Sequence, residues 1–189
     1  PTRRSSDLEV RIDMDEEERF AYAISNQDEK YRLAATSAVK TPVIQKLLKK
    51  HAGEPTLIIG QYLDQIHAIS GALGVPEITG EPPVDERERL FEQFRTGEIT
   101  TLVVSKVANF SIDLPEASVA IQISGSYGSR QEEAQRLGRL LRPKADGRTA
   151  NFYTLIARDT VDQDFAQNRQ RFLAEQGYSY EIIDAEDLL

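Results

Sequence analysis

From Thr56 onward, the sequence alternates short apolar runs with longer amphipathic stretches, and this alternation restricts the fold more than any other feature. The apolar runs, each typical of a buried strand, are "TLIIG", "TTLVVS", "SVAIQIS" and "TANFYTLI". The amphipathic stretches, each typical of a helix, cover residues 63–73, 84–95 and 161–175. Short strands that alternate with helices form a mostly parallel sheet with helices on both faces. We therefore predict an α/β fold of three layers with a mostly parallel central sheet.

The composition narrows the classes of protein and of site that fit such a fold. The chain has 189 residues and a formal net charge of -8, with 40% hydrophobic and 29% charged residues, as in ordinary globular proteins. No apolar run approaches the roughly 18 residues that a membrane-spanning helix needs, so no membrane partner is expected. The sequence contains no cysteine, and His51 and His67 lack metal-ligand spacing, so no metal site is expected. We predict a cytoplasmic location, in the nucleoid region of a prokaryote or in the nucleus of a eukaryote.

The part of the chain before residue 41 lacks this alternation and is predicted to lead into the domain. The sequence starts with Pro1 instead of Met, which indicates a piece of a longer protein. Residues 1–12 are polar and are predicted to be a strand-like linker, followed by two short helices with acidic first turns. The next helix is predicted to have Thr41 as its cap and Pro42 at its first position. We divide the chain into a short helical lead-in over residues 1–40, the α/β domain over residues 41–183 and an acidic tail over residues 184–189.

Basic charge concentrates in one segment, "GSRQEEAQRLGRLLRPK" at residues 128–144. Between residues 130 and 148 the sequence has six basic and three acidic residues, a local charge of +3 in a chain whose remainder carries -11. Ser129 and Glu132 have the spacing of a capping box and predict that a helix starts directly after Ser129. The negative chain therefore has one local basic helix, which is compatible with binding of phosphate groups.

The helical repeat arranges this basic segment into two sides. Gln135, Arg139 and Arg142 fall on one stripe, and the leucines of the segment fall on the opposite side, which predicts that the stripe points away from the core. Guanidinium groups suit the charge that develops on a phosphoryl oxygen, because they are planar, protonated and multiply donating. A solvated surface face explains the same spacing, so the residues alone leave both interpretations open.

Longer stretches of the sequence resemble a known family. "QRLGRLLR" is similar to motif VI of superfamily 2 helicases, and "TLVVSKVANFSIDLPEASVAIQIS" resembles motif V of those enzymes. Ser111 stands where the common superfamily pattern has glycine. "SKVANFSIDLPEA" and "GSRQEEAQRLGRLLR" resemble the corresponding segments of the xeroderma pigmentosum group B (XPB, Rad25) helicases, as does the C-terminal "RQRFLAEQGYSYEII".

The resemblance implies a RecA-like fold and specific roles for the residues that match. By that match, Arg142 would be the principal arginine finger, Arg139 a second contact to the γ-phosphate of ATP, and Gln135 the side chain that orients the site. Asp113 would meet the ATP ribose or the neighbouring arginines. A turn cap before Pro115 is the alternative explanation for Asp113.

Nucleic-acid contacts are predicted where strands end. Ser105 and Lys106 end an apolar strand and are expected to be exposed at the carboxyl edge of the sheet, where ligands of open α/β sheets sit. A hydroxyl and an ammonium group can hold DNA phosphates without reading sequence. Gly80 ends the preceding strand, and its amide could donate to a phosphate, although an ordinary turn glycine is an equal alternative.

The sequence contains no G-x-x-x-x-G-K-[ST] motif and no D-E-x-H or D-E-A-D motif. Together with the resemblance, this implies the C-terminal half of a two-domain DNA helicase, with ATP and Mg²⁺ held mainly by the N-terminal RecA-like domain and with 3′-to-5′ translocation in DNA repair. The implied partners are DNA, that N-terminal domain and a repair nuclease or transcription factors. The alternative is a non-catalytic RecA-like protein-interaction module, and a flavodoxin-like ligand domain is disfavoured because no glycine loop follows the first strand.

Overall fold

The structure, a computed structural model, describes residues 6–80, 84–105, 117–124, 150–175, 177 and 179–188. The strands in these residues are β1 (Ser6–Ile12), β2 (Thr56–Gly60), β3 (Glu77–Ile78), β4 (Thr101–Ser105), β5 (Val119–Gln122), β6 (Asn151–Ala157) and β7 (Ser179–Asp184). The helices are α1 (Glu16–Ile24), α2 (Gln27–Ala35), α3 (Lys40–Lys50), α4 (Leu63–Leu73), α5 (Val84–Thr96) and α6 (Val161–Glu175), with a 3₁₀ turn at Ala185–Asp187. The strands form one parallel sheet in the order β3-β4-β2-β5-β6-β1-β7.

The two faces of this sheet bury separate apolar clusters. Successive side chains of a strand point to opposite faces, so in β2 Ile58 packs in the cluster that contains α3 and α4 residues. Leu57 and Ile59 pack in the opposite cluster, which contains Phe91 and Phe94 of α5. The predicted three-layer α/β architecture with a parallel sheet is therefore confirmed.

Strand β1 is an interior strand of the sheet, where the sequence predicted a strand-like lead-in or linker. It pairs with β6 on one side and with β7 on the other. The buried Leu8 and Val10 contribute to the α3 face, whereas Glu9 points away from that face and accepts hydrogen bonds from Arg11 Nε at 2.6 Å and Tyr180 Oη at 2.5 Å. Because buried charges with partners alternate with the apolar residues, the strand has a polar sequence. We propose that the domain includes Ser6 onward, so that its start differs from the predicted division at residue 41.

The other end of the chain also packs against the domain. Leu188, inside the predicted acidic tail, is buried in the same cluster as β1 and α3. The two predicted short helices are present as α1 and α2, with Asp15 and Asn26 as caps that accept from backbone amides. Among the helices of the described segments, none is long and apolar enough to cross a bilayer.

Helix α3 begins two residues earlier than predicted. Its cap position is Val39, which makes no side-chain cap hydrogen bond, and Thr41 lies inside the first turn. The predicted Thr41 cap is therefore wrong. Pro42 is tolerated in this turn because amides there have no intrahelical acceptor. The first helical residue is Lys40, which is buried.

Candidate functional site at the carboxyl edge of the sheet

Two of the predicted site residues, Gly80 and Ser105, fall in the described part of the chain. The others lie outside the described residues: Lys106, Asp113, Gln135, Arg139 and Arg142. Their predicted roles therefore stay predictions, and the geometry below concerns the edge of the sheet from which their segments start.

Gly80 and Ser105 follow neighbouring strands at the same edge. Ile78 of β3 pairs with Val104 of β4, so Gly80, two residues beyond β3, and Ser105, the last residue of β4, lie at the carboxyl ends of adjacent strands. Gly80 is exposed, as a contact to a phosphate requires. Ser105 is 1% exposed, so its predicted exposure is wrong, and the reason is that it still pairs with Gly60 inside the sheet. The nucleic-acid contact of either residue remains a prediction.

The carboxyl ends of β2 and β5 are held close together. A Cβ atom at Gly60 would lie 3.2 Å from side-chain carbons of both Ile123 and Ile66. The backbone amide of Gln61 donates to Ser124 Oγ at 2.7 Å. The last described residue before the basic segment, Ser124, is thus held against the end of β2.

A buried lysine joins the ends of several elements at this edge. Lys40 Nζ donates to the carbonyl oxygens of Ala35 at 2.9 Å and Ile123 at 2.8 Å, and to Asp162 Oδ2 at 3.0 Å. The same Asp162 oxygen accepts from the backbone amide of Ala157 at 3.2 Å. We call these five residues the Lys40 cluster. Its lysine and aspartate side chains are 1% and 9% exposed, and all three ammonium protons have acceptors.

Sequence reasoning missed the Lys40 cluster, although one signal was present. A cation at a helix N-terminus opposes the helix dipole, and Lys40 occupies that place in α3, whose first turn has no acidic residue. Asp162, in contrast, stands in the first turn of α6, where an acid is ordinary. An unfavourable lysine at a predicted helix start therefore indicates a partner supplied from elsewhere in the fold.

An exposed group of side chains lies beside this edge, between α2 and α4. The Arg32 guanidinium stacks on the Tyr62 ring, 5.3 Å from its centroid, and forms an ion pair with Asp64. Burial raises the pKa of the Tyr62 hydroxyl above its usual value, against the opposing effect of Arg32. This group links the predicted lead-in to the loop that follows β2.

Helix α1 holds the loop between β6 and α6 at the same edge. Arg19 donates to the carbonyl oxygens of Arg158 at 3.1 Å and Asp159 at 3.3 Å. The Tyr22 hydroxyl accepts from the amide of Val161 at 3.0 Å. Asp159 has φ = 57°, a left-handed conformation that few residues other than glycine and asparagine or aspartate adopt. The lead-in helices are therefore part of the carboxyl edge.

The residues described at the carboxyl edge are suited to holding the backbone in place more than to catalysing a reaction. The buried Lys40 and Asp162 pair with each other, Arg32 pairs with Asp64, and Arg19 donates to backbone carbonyls. In the described ranges, no three His, Asp or Glu residues are grouped as a metal site would require. What the edge provides is a rigid set of strand ends from which two undescribed segments start, at residues 106 and 125.

Comparisons with known proteins agree along nearly the whole chain. A sequence model described as the ERCC3/RAD25/XPB C-terminal helicase matches residues 4–188. A protein of Kineococcus radiotolerans named DNA 3'-5' helicase XPB is 65% identical over 181 residues, which are 96% of this chain and 32% of that protein. The protein of the same name from Mycobacterium tuberculosis is 58% identical over 182 residues, which are 96% of this chain and 33% of that protein. The chain thus spans about a third of the length of these relatives.

Solved structures agree on the fold. The Escherichia coli DEAD-box protein SrmB, in its complex with regulator of ribonuclease activity A, superposes with a TM-score of 0.67 over 96% of this chain and 91% of its own. The two sequences are 16% identical, so the similarity concerns the fold alone. The predicted RecA-like fold is confirmed.

Proposed function

The chain belongs to the family of ERCC3/RAD25/XPB C-terminal helicases, and on this premise we propose that it is the second RecA-like half of an ATP-driven DNA translocase. The observation that carries the proposal is the match of that family over residues 4–188, together with the basic motif at residues 128–144. Superfamily 2 motors of this kind work by closing two halves around a nucleotide. This chain would supply the closing half.

The proposed roles divide between arginines and strand ends. ATP and Mg²⁺ would be held mainly by the N-terminal half, and hydrolysis of the bond between the β- and γ-phosphates of ATP would drive movement. Arg142 and Arg139 would donate to the γ-phosphate oxygens, Gln135 would orient them, and Asp113 would contact the ribose or the arginines. The described residues are compatible with this division, because the buried Lys40 and Asp162 are paired with each other and are not available to a nucleotide.

The proposed partners follow from the proposal that the chain is one half of a DNA translocase. DNA would contact Gly80 and Lys106 at the carboxyl edge, whereas the buried Ser105 would hold the strand end from which Lys106 follows. The N-terminal RecA-like half would face the basic segment at residues 128–144. The names of the two bacterial relatives specify a 3'-5' helicase, and we propose that polarity and a role in DNA repair for this protein. A repair nuclease or transcription factors would be further partners, in the cytoplasm of a prokaryote or the nucleus of a eukaryote.

The test is DNA-stimulated ATP hydrolysis by the two-domain protein. We expect the Arg139→Ala/Arg142→Ala variant to lose about 10³–10⁵ in turnover, the contribution of an arginine finger, while ATP still binds. Arg95→Ala, on the exposed surface of α5, is the control and should keep wild-type turnover. Near-normal turnover in the double variant would contradict the finger assignment. A wild-type protein that hydrolyses no ATP on any DNA would support the protein-interaction module instead.

The DNA contact has a separate test. Lys106→Ala should weaken binding of single-stranded DNA and lower the slope of log K against log salt by about one unit, because one phosphate contact is lost. Lys46→Ala, on the exposed side of α3, is the matched control. An unchanged slope would place Lys106 outside the DNA contact.

A further inference from the structure

We propose that Lys40 and Asp162 are positioning residues for the phosphoryl-transfer reaction, acting by fixing the end of β5, after which the sequence continues to the basic segment at residues 128–144. The inference rests on the proposed function, since it concerns the arginines of that segment. It uses only contacts among described residues. Neither side chain would touch the nucleotide.

The geometry of the Lys40 cluster supports this role. One ammonium group bonds the last residue of α2, the residue after β5 and the second residue of α6, and Asp162 extends the network to the last residue of β6. Two of the three acceptors of Lys40 are main-chain carbonyls, Ala35 and Ile123. The cluster therefore fixes mainly backbone. It does so one residue before Ser124, whose hydroxyl accepts a hydrogen bond from the amide of Gln61, the residue that follows β2.

Burying the Lys40–Asp162 ion pair costs desolvation energy, which indicates that the pair is not there mainly to stabilise the fold. Taking an ion pair out of water costs so much that well-packed apolar residues of similar volume are often equally or more stabilising. The neighbouring buried positions of α3 show that this alternative is available, because Val43, Ile44 and Leu47 are apolar. An apolar side chain at position 40 could fill the space, but it could not hold two carbonyls and a carboxylate in one arrangement.

The Lys40 cluster also lies where a small displacement matters for the proposed reaction. Catalytic groups must be placed to within about an ångström, and a misplacement of that size can cost about 10²-fold in rate. The arginine segment at residues 128–144 follows Ile123 and Ser124 in the sequence. On our proposal, a shift of this strand end would displace the arginines without removing them.

The experiment compares variants of the two-domain protein in DNA-stimulated ATP hydrolysis. Lys40→Met/Asp162→Asn removes both charges, and the asparagine oxygen can still accept from the Ala157 amide. We expect it to be more stable than Lys40→Met alone, with kcat lowered about 10- to 100-fold and with KM for ATP within about twofold of wild type, because the other half holds ATP. Lys40→Arg keeps the charge but cannot place one nitrogen against three acceptors, and it should show the same fall in kcat. If either folded variant kept wild-type kcat, the proposal would be overturned.

A control and a second measurement separate this proposal from the proposed function. Tyr153→Phe removes a buried hydroxyl near the opposite edge and should lower stability with kcat unchanged. In the 189-residue chain itself, hydrogen exchange at the Gln61 amide, which donates to Ser124 Oγ, should accelerate at least about tenfold in the Lys40→Met/Asp162→Asn variant. Unchanged exchange would overturn the positioning role. Absence of turnover in wild type would instead overturn the proposed function.

Discussion

Helix α3 has a buried polar cluster at each end, and the two clusters differ in what they hold. At the carboxyl edge, the Lys40 cluster bonds backbone groups of α2, the segment after β5, and β6. At the amino edge, His51 lies between Glu54 Oε2 at 2.6 Å and Tyr153 Oη at 2.7 Å, which are both side-chain contacts; we call these three residues the His51 cluster. The Lys40 cluster bonds main-chain groups and so fixes the ends of β5 and β6. The His51 cluster bonds side chains and so fixes the end of α3. The edge where ligands of parallel sheets bind has the first kind.

The largest expected difference between the clusters is in stability. Lys40→Met leaves Asp162 as a buried charge without its cation, and breaking a buried pair in this way costs about 3–5 kcal/mol. We expect that loss in the free energy of unfolding measured with urea. Lys46→Met, on the exposed face of the same helix, should change it by less than about 0.5 kcal/mol. Equal free energies of unfolding for the two variants would show that the Lys40–Asp162 ion pair contributes nothing to stability.

A smaller effect is expected from crowding the carboxyl edge at Gly60. A side chain there meets Ile123 and Ile66 at 3.2 Å, and overpacking of a filled core costs about 1–3 kcal/mol. Gly60→Val should therefore lower the midpoint of thermal unfolding.

Gly71→Ala is the matched control for Gly60→Val. Gly71 lies within α4, and a Cβ there has no heavy atom within 4 Å outside its own helix, so the change should stabilise by up to about 1 kcal/mol. A Gly60→Val variant as stable as wild type would mean that β2 and β5 can separate at their ends without cost.

The comparison also explains how far the sequence predicted the structure. The strands over Thr56–Gly60 and Thr101–Ser105 were identified because their residues are apolar and buried on both faces. Strand β1 was not, because the buried Asp7 and Glu9 give a pattern that is typical of a linker. Local composition shows which segments are apolar, but it does not show which charges find partners on distant elements.

The candidate site was predictable in a different way. The arginine motif was recognised from residue types and spacing, which are local, and its geometry lies outside the described residues. The Lys40 cluster joins residues separated by up to 122 positions in sequence, as in the pair with Asp162. No periodicity connects them, so only the fold brings them together. The unfavourable lysine at a helix start was the single local sign.

At the amino edge, loss of one hydroxyl should have a modest effect. Tyr153→Phe leaves a ring nitrogen of the buried His51 without its partner, at a cost of about 1–2 kcal/mol in the free energy of unfolding near neutral pH. Tyr22→Phe removes a hydroxyl that bonds Val161 at a half-buried place, where water can replace it, and should cost less. If Tyr22→Phe proved the more costly change, the half-buried Tyr22–Val161 hydrogen bond would contribute more to stability than the buried Tyr153–His51 contact.

The last expected effect is a pH dependence of the stability that the His51 cluster contributes. Burial, with a further contribution from the Glu54 carboxylate, raises the pKa of Tyr153 from 10.0 to about 12. Because the folded protein keeps this proton to higher pH than the unfolded chain, the stabilisation by Tyr153 is complete below about pH 10 and is lost as pH rises toward 12. Urea unfolding of wild type and Tyr153→Phe between about pH 8 and about pH 12 should show a difference in free energy that narrows above about pH 10. Other titrating groups are common to both proteins and cancel in that difference.

Glu54→Gln removes the smaller of the two causes, so it should lower the pKa of Tyr153 only slightly and the narrowing should end at a slightly lower pH. A difference that stays constant with pH would mean that Tyr153 has the same pKa in the folded and unfolded states.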